Sequence, residues 1–348
     1  IMNQPLLISS LISHADWVSG DREIITRSVE GPIHRYNYRD AHARSRRLAN
    51  ALKKLGVKLG DRIATLAWNT YRHFECYYAI SGIGAITHTL NPRLAADQLT
   101  YIINHAENAY IFVDADLLPL IELVAHQIPS IKGIVVMTDR LNIPDSKVVN
   151  LLCYEDLIED NSDDLEWPIF DENTASSLCY TSGTTGNPKG VMLSHDSFSS
   201  YILNNVSPAD LDVEEKNILT VPLYHIAGVQ AVMAAIYGGR TLIIQRQFEP
   251  VEWMKLVANE RANRAMMVPT MLKMLLDHEE FDSHDLSSLE VITYGAAPMP
   301  LEVIRRAIEK LPGTYFINAF GQTETAATIT MLPPEDHVLE GSSEEIEI

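Results

Sequence analysis

Read for its apolar and polar positions, the chain alternates between two patterns. Short apolar runs at 33–38, 62–68, 109–113 and 133–137 read as strands, and stripes of helical period fall between them at 40–55, 71–84 and 117–126. In the first stripe Asp40 is the expected N-cap, Ala43, Leu48, Leu52 and Leu55 face inward, Arg44, Arg46, Arg47 and Lys53 face outward, and Gly56 closes the helix. Farther along, helices are expected at 197–205, 227–237, 251–258 and 269–276, and strands at 217–222, 241–244, 265–268 and 289–293. Such alternation predicts an α/β fold, with largely parallel sheets flanked by helices. The acidic stretch 155–166, holding Asp156, Glu159, Asp160, Asp163 and Asp164, reads as a solvated linker. Two stacked αβ subdomains, 1–166 and 167–348, are therefore expected, with no internal repeat and no low-complexity segment.

One segment breaks the alternation with chemistry of its own. Residues 180–195, YTSGTTGNPKGVMLSH, gather three threonines, two serines, three glycines and one lysine. Gly183, Gly186 and Gly190 let backbone N–H groups turn toward an anion, Thr181, Ser182, Thr184 and Thr185 add hydroxyl donors, and Lys189 adds a mobile positive charge. A Walker A loop is excluded, because two residues separate Gly186 from Lys189 and Gly190 follows the lysine. A flexible linker has a similar composition, but here small or apolar residues lie on both sides, as they would around a tight loop between two strands.

The segment resembles the phosphate-binding signature of the adenylate-forming superfamily, which includes acyl-CoA synthetases, aryl-CoA ligases, firefly luciferases and the adenylation domains of peptide synthetases. Thr184 stands where that family also uses serine. Three later segments follow in the family's order: VPLYHIAG (221–228) resembles the element that gates the acyl pocket, YGAAPM (294–299) the turn against adenine, and NAFGQTE (318–324) the segment that closes on the α-phosphate and magnesium. Each has a physical reading. Gly295, Ala296, Ala297 and Pro298 are small enough for a purine to lie against backbone at a strand's carboxyl end. Gly321 allows close approach, Thr323 offers a hydroxyl and Glu324 a hard oxygen suited to Mg²⁺. Phe320 replaces a more usual tyrosine, so any hydrogen bond from that ring is absent. His225 lies in an apolar setting, where a lone histidine is commonly a satisfied core residue; only the resemblance makes it a pocket gate.

Composition narrows the class further. The 348 residues are enough for a sizeable core, and the net charge of −19 argues against binding nucleic acid or anionic lipid. Cys76, Cys153 and Cys179 form no C-x-x-C pair, and His14, His34, His88 and His105 show no metal-ligand spacing. No apolar stretch approaches the roughly 20 residues of a membrane span, and the start lacks a signal-peptide pattern. A cytoplasmic enzyme is expected, with self-association into a homodimer left open.

The resemblance implies the fold of the large N-terminal domain of an acyl-CoA synthetase, with the small C-terminal domain and its catalytic lysine absent. It also implies a two-step reaction: a carboxylic acid and ATP, with Mg²⁺, give an acyl-adenylate and pyrophosphate, and coenzyme A then displaces AMP. Thr181, Ser182, Gly183, Thr184, Thr185, Gly186 and Lys189 would hold the terminal phosphates, Thr323 the α-phosphate, and Thr184 and Glu324 the Mg²⁺. Gly295, Ala296, Ala297, Pro298, Asn318, Ala319, Phe320 and Gly321 would bound the nucleotide. His225, Gly228, Val229, Met233, Gly295, Phe320 and Gly321 would bound the acid. Thr184, Lys189, His225, Thr323 and Glu324 would carry the chemistry. Within the superfamily, the segments at 30–52 and 68–94 most resemble medium- and long-chain fatty acyl-CoA synthetases. The alternatives are an aryl-CoA ligase, a carrier-loading adenylation domain and a non-catalytic nucleotide-binding module.

Overall fold

The expected strands form, and they sort into two sheets. The computed structural model describes residues 5–181, 186–206, 214–295, 297–320 and 328–332. The first sheet runs in the order Leu151–Cys153, Gly133–Val136, Tyr110–Val113, Arg62–Leu66, Ile86–Leu90, Ala175–Thr181, Lys189–Ser194; every pairing is parallel except the last. The second runs Thr328–Leu332, Tyr315–Phe320, Val291–Gly295, Arg264–Met267, Lys216–Leu219, Thr241–Ile244, Glu23–Arg27, Ile33–Asn37, and is parallel except for the outermost pair at each end. Sheet membership therefore does not divide at residue 166. The hairpin 23–37 belongs to the second sheet, and the hairpin 175–194 completes the first.

Strand alternation distributes the core over both faces of each sheet. In the first sheet Ile63, Phe112 and Val135 face one apolar cluster, while Ala64, Ile111, Val113 and Val136 face another, against helices Ala96–His105 and Leu118–Val124. In the second sheet Ile218, Ile243 and Ile292 pack under helices Pro250–Glu260, Pro269–Asp277 and Leu301–Lys310. Leu219, Leu242 and Ile244 face the opposite way, toward helices Ile8–Ser19, His195–Asn205 and Ile226–Tyr237. Helix Tyr71–Gly82 lies between the sheets, giving Phe74, Tyr77 and Tyr78 to one core and Cys76, Ala79 and Ile80 to the other. All of its residues are buried, so its sequence shows no polar face.

Three readings of the first half are corrected. The helix Tyr38–Lys54 is capped by Asn37, whose side chain accepts from the Asp40 N–H; Asp40 sits in the first turn, where its charge favours the helix dipole. Arg44, expected to face solvent, is paired with fully buried Glu75 (2.9 Å) and with Glu155 (2.8 Å). The acidic stretch is not simply a solvated linker, because its start forms the helix Tyr154–Glu159 with Tyr154 and Ile158 buried. Glu155 takes charge-assisted bonds from Arg44 and Arg72, and Arg72 also reaches Glu30 at 2.6 Å. Tyr36 and Tyr154 both donate to Glu75, at 2.6 and 2.8 Å. This network joins the 23–37 hairpin, two helices and the acidic stretch. Burial alone would raise the pKa of Glu155, but the two guanidiniums hold its carboxyl below the ordinary value.

Candidate active site

The glycine- and threonine-rich segment is closed by an antiparallel hairpin. Thr181 pairs with Lys189 and Tyr180 with Gly190 at the end of this hairpin ladder. Thr181 and Lys189 are exposed, and Gly186 has φ +89°, a left-handed conformation that glycine adopts freely. Gly190 makes room for its neighbours rather than shaping the turn: an added Cβ would lie 3.2 Å from both the Tyr180 ring and the Leu178 side chain. The Tyr180 hydroxyl pairs with His105 Nδ1 at 2.8 Å, bracing the hairpin stem against helix Ala96–His105. Ser182, Gly183, Thr184 and Thr185 lie outside the described residues.

The described residues of the second expected constellation lie at the carboxyl ends of neighbouring parallel strands. Tyr294 pairs with Asn318 and Gly295 with Ala319, which brings residues 294–295 beside 318–319. Ala297 and Pro298 are exposed and Asn318 is 9% exposed, so a small backbone surface is open there. Ala296, Gly321, Thr323 and Glu324 lie outside the described residues, as do the side chains of Ala319 and Phe320.

The third segment is held tightly. His225 is the N-cap residue of helix Ile226–Tyr237; its backbone N–H donates to the Pro222 carbonyl at 3.1 Å, and its ring tilts against Tyr224 with centroids 4.8 Å apart. The His225 ring is exposed, not enclosed in the apolar setting its neighbours suggested; partial desolvation still lowers its pKa below the ordinary histidine value, favouring the neutral ring at neutral pH. Gly228 is required sterically, because a Cβ there would meet the Pro222 carbonyl oxygen at 2.0 Å. Val229 and Met233 are fully buried in the apolar core with Phe198 and Ile202, so they support this helix from behind.

A cleft of about 310 Å³ opens beside this segment, at the carboxyl ends of strands Lys216–Leu219, Thr241–Ile244 and Arg264–Met267. Trp68, Tyr224, Phe248 and Met271 give it an apolar lining, and Arg93 and Arg246 give it positive charge. Trp68 is fixed on three sides: its backbone N–H donates to Asp114 (2.7 Å), its indole N–H donates to Asp116 (3.0 Å), and the Arg93 guanidinium lies 5.9 Å from its ring centroid. Burial pushes the Asp114 carboxyl well above the ordinary range. Sequence reasoning did not assign these cleft residues to a site. The signal was their place just beyond strand ends, where open α/β sheets bind ligands.

The two largely parallel sheets flanked by helices make this an α/β fold, and the chain belongs to the AMP-binding enzyme family, which it matches over residues 15–343. It is 36% identical over 348 residues to a medium-chain-fatty-acid–CoA ligase of Ectopseudomonas oleovorans, covering 99% of this chain and 64% of that protein. It is 41% identical over 330 residues to a 3-methylmercaptopropionyl-CoA ligase of Ruegeria lacuscaerulensis, covering 93% and 60%. The chain thus spans less than two thirds of the length of these relatives. The fold matches the crystal structure of the N-terminal domain of FACL13 from Mycobacterium tuberculosis with a TM-score of 0.79 at 24% identity, over 95% of this chain and 79% of that one. No helix among the described residues is long and apolar enough to cross a membrane.

Proposed function

We propose that the protein is an ATP-dependent acyl-CoA synthetase acting in the cytoplasm on a medium- or long-chain fatty acid. The observation that carries this reading is the exposed pairing of Thr181 with Lys189, which flank a glycine- and threonine-rich segment, in a chain of the AMP-binding family. The names of its relatives, ligases of fatty acids and of a short thioether acid, support a monocarboxylate substrate. The three cysteines are free, as suits a reducing compartment.

In the first step a carboxylate oxygen attacks the α-phosphorus of ATP and pyrophosphate leaves. In the second the thiolate of coenzyme A attacks the acyl carbon, and AMP leaves with the former carboxylate oxygen. A carboxylate is a poor electrophile, and the mixed anhydride supplies its leaving group. The residues of this chain would act mainly by position and charge. The turn 181–189 would hold the β- and γ-phosphates through its N–H groups, its hydroxyls and the Lys189 ammonium. Thr323 would hold the α-phosphate, and Glu324 with Thr184 would contact the Mg²⁺ that enters with ATP. The Gly295–Ala319 pair and Asn318 would receive adenine, while His225 and Gly228 would border the acid. Arg93 and Arg246 supply positive charge suited to an anionic co-substrate such as coenzyme A, in a protein whose net charge is −19.

The test is carboxylate-dependent exchange of labelled pyrophosphate into ATP, screened across fatty, aryl and amino acids with the protein as its source expresses it. Exchange strongest with aliphatic acids of medium or long chain is expected. Exchange driven best by an aryl or amino acid would move the protein to an aryl-CoA ligase or a carrier-loading enzyme.

A further inference from the structure

The segment 220–225 leaves the second sheet at Leu219 and has no strand beside it, and Pro222 has no N–H to offer one. Its backbone groups must be satisfied by other means. They are satisfied from the first sheet. The side chain of Asn69, 3% exposed, accepts from the Leu223 N–H at 2.7 Å through Oδ1 and donates to the Val221 carbonyl at 2.9 Å through Nδ2. A primary amide used in this way replaces a neighbouring strand, meeting residues i and i+2 of the segment. The backbone N–H of Asn69 donates to the Arg246 carbonyl at 3.0 Å. Thr89, 4% exposed and also from the first sheet, donates its hydroxyl to the Tyr224 carbonyl at 3.1 Å.

We propose that Asn69, assisted by Thr89, is a positioning residue for substrate recognition, a buried amide clamp by which the first sheet sets the place of Tyr224 and His225 at the site. The transmission is short. Asn69 fixes Val221 and Leu223 on either side of Pro222, and the Pro222 carbonyl receives the His225 N–H and abuts the Cα of Gly228. Displacing 221–223 therefore displaces the start of helix Ile226–Tyr237, and with it His225 and the Tyr224 wall of the cleft. The strands Ala175–Thr181 and Lys189–Ser194 form a separate hairpin of the first sheet, with no hydrogen bond to Asn69 among the described residues. The specificity part of the inference rests on the reading that His225 and Gly228 border the acid; the clamp itself does not.

Two measurements separate these parts. Amide hydrogen exchange on Asn69→Ala and Thr89→Val should show lost protection concentrated at residues 221–229, greatest at the Leu223 N–H, with the 175–194 hairpin unchanged. Unchanged protection at Leu223 in Asn69→Ala overturns the clamp, whether or not an activity is known. In pyrophosphate exchange with the full protein, Asn69→Ala should raise KM for the acid about tenfold or more while KM for ATP moves less than about twofold, since a buried hydrogen-bond pair left unmatched costs a factor of that order. Val257→Ala, which opens a cavity on the far side of the second sheet, is the control for general destabilisation and should not shift the acid KM. Equal shifts in both KM values, or the same acid shift in Val257→Ala, would show that Asn69 is merely structural. Absence of exchange with any acid in the unmodified protein would overturn the proposed function and leave the exchange-protection result standing.

Discussion

Acid should unfold this protein early, because three histidines are buried as neutral rings, and protonating them places charge in the desolvated interior. His73, His88 and His195 are all fully buried, and burial lowers each pKa to about 4. His73 donates from Nδ1 to the Trp68 carbonyl (3.0 Å) and accepts at Nε2 from the Thr65 hydroxyl (2.9 Å); His195 accepts the Ile8 N–H at Nδ1 (3.1 Å). His88 donates from Nδ1 to Asn108 at 2.9 Å, and its Nε2 has no partner. In the unfolded chain the same rings titrate near 6.5, so between pH 6.5 and 4 the unfolded state binds more protons and stability falls as pH falls. By about pH 5 the gap is about 1.5 pH units, or about 2 kcal/mol per ring and about 6 kcal/mol for three, a large part of the roughly 5–15 kcal/mol that a domain possesses. Glu30 and Glu155, held below the ordinary carboxylate value despite burial, add to the loss below about pH 4.5, while Asp114, whose burial raises its pKa, works in the opposite direction. Urea unfolding at a series of pH values should show a steep fall in midpoint from about pH 6.5 downward. His195→Asn keeps an acceptor for the Ile8 N–H without the titrating ring, and should make the slope shallower by about 1.4 kcal/mol per pH unit. A flat profile between about pH 6.5 and 5, or an unchanged slope in His195→Asn, would refute the reasoning.

Other perturbations probe separate parts of the account. Gly228→Ala forces a Cβ onto the Pro222 carbonyl and should destabilise the protein by about 1–3 kcal/mol or more in denaturant titration; unchanged stability would mean that the 222–228 turn is looser than described. Glu75→Ala removes the buried carboxylate that holds Arg44, Tyr36 and Tyr154, and should cost about 3–5 kcal/mol in the same assay, whereas a loss below about 1 kcal/mol would leave the network without a structural role. Lys189→Ala, at an exposed position, should leave the melting temperature unchanged and weaken ATP binding by one to two decades, the effect of about 1.5–3 kcal/mol in a charge-assisted contact. ATP affinity equal to the unmodified protein's would remove Lys189 from the phosphate site.

The parts of the fold legible in the sequence are those whose cause is local. Strands Tyr110–Val113 and Gly133–Val136 are buried on both faces, so they read as apolar runs, and helix Tyr38–Lys54 carries its own periodicity. The strands on either side of the segment around Gly186 were legible because small or apolar residues flank it. What escaped depends on partners remote in sequence. Arg44 reads as a surface residue until Glu155 lies beside it, 111 positions later. Helix Ile8–Ser19 packs on helix Ile226–Tyr237, and strand Glu23–Arg27 pairs on one side with Thr241–Ile244, each more than 200 residues on. Val229 and Met233 have the composition of a pocket lining and of a core alike; only the opposing Phe198 and Ile202 assign them to the core. Asn69 carries no local mark beyond its place past a strand end, and its role emerges only when Val221 and Leu223 stand opposite its amide.

Oxygen transfer tests adenylation most directly. With a fatty acid carrying ¹⁸O in both carboxyl positions, and with ATP, Mg²⁺ and coenzyme A, the protein as its source expresses it should yield AMP with one ¹⁸O in its phosphate and pyrophosphate with none, because the attacking carboxylate oxygen stays on the α-phosphorus when the thiol displaces AMP. Label found instead in inorganic phosphate formed with ADP would show attack at the γ-phosphorus and an acyl phosphate. Unlabelled AMP would show that ATP is cleaved without joining the acid. Either result would contradict the account.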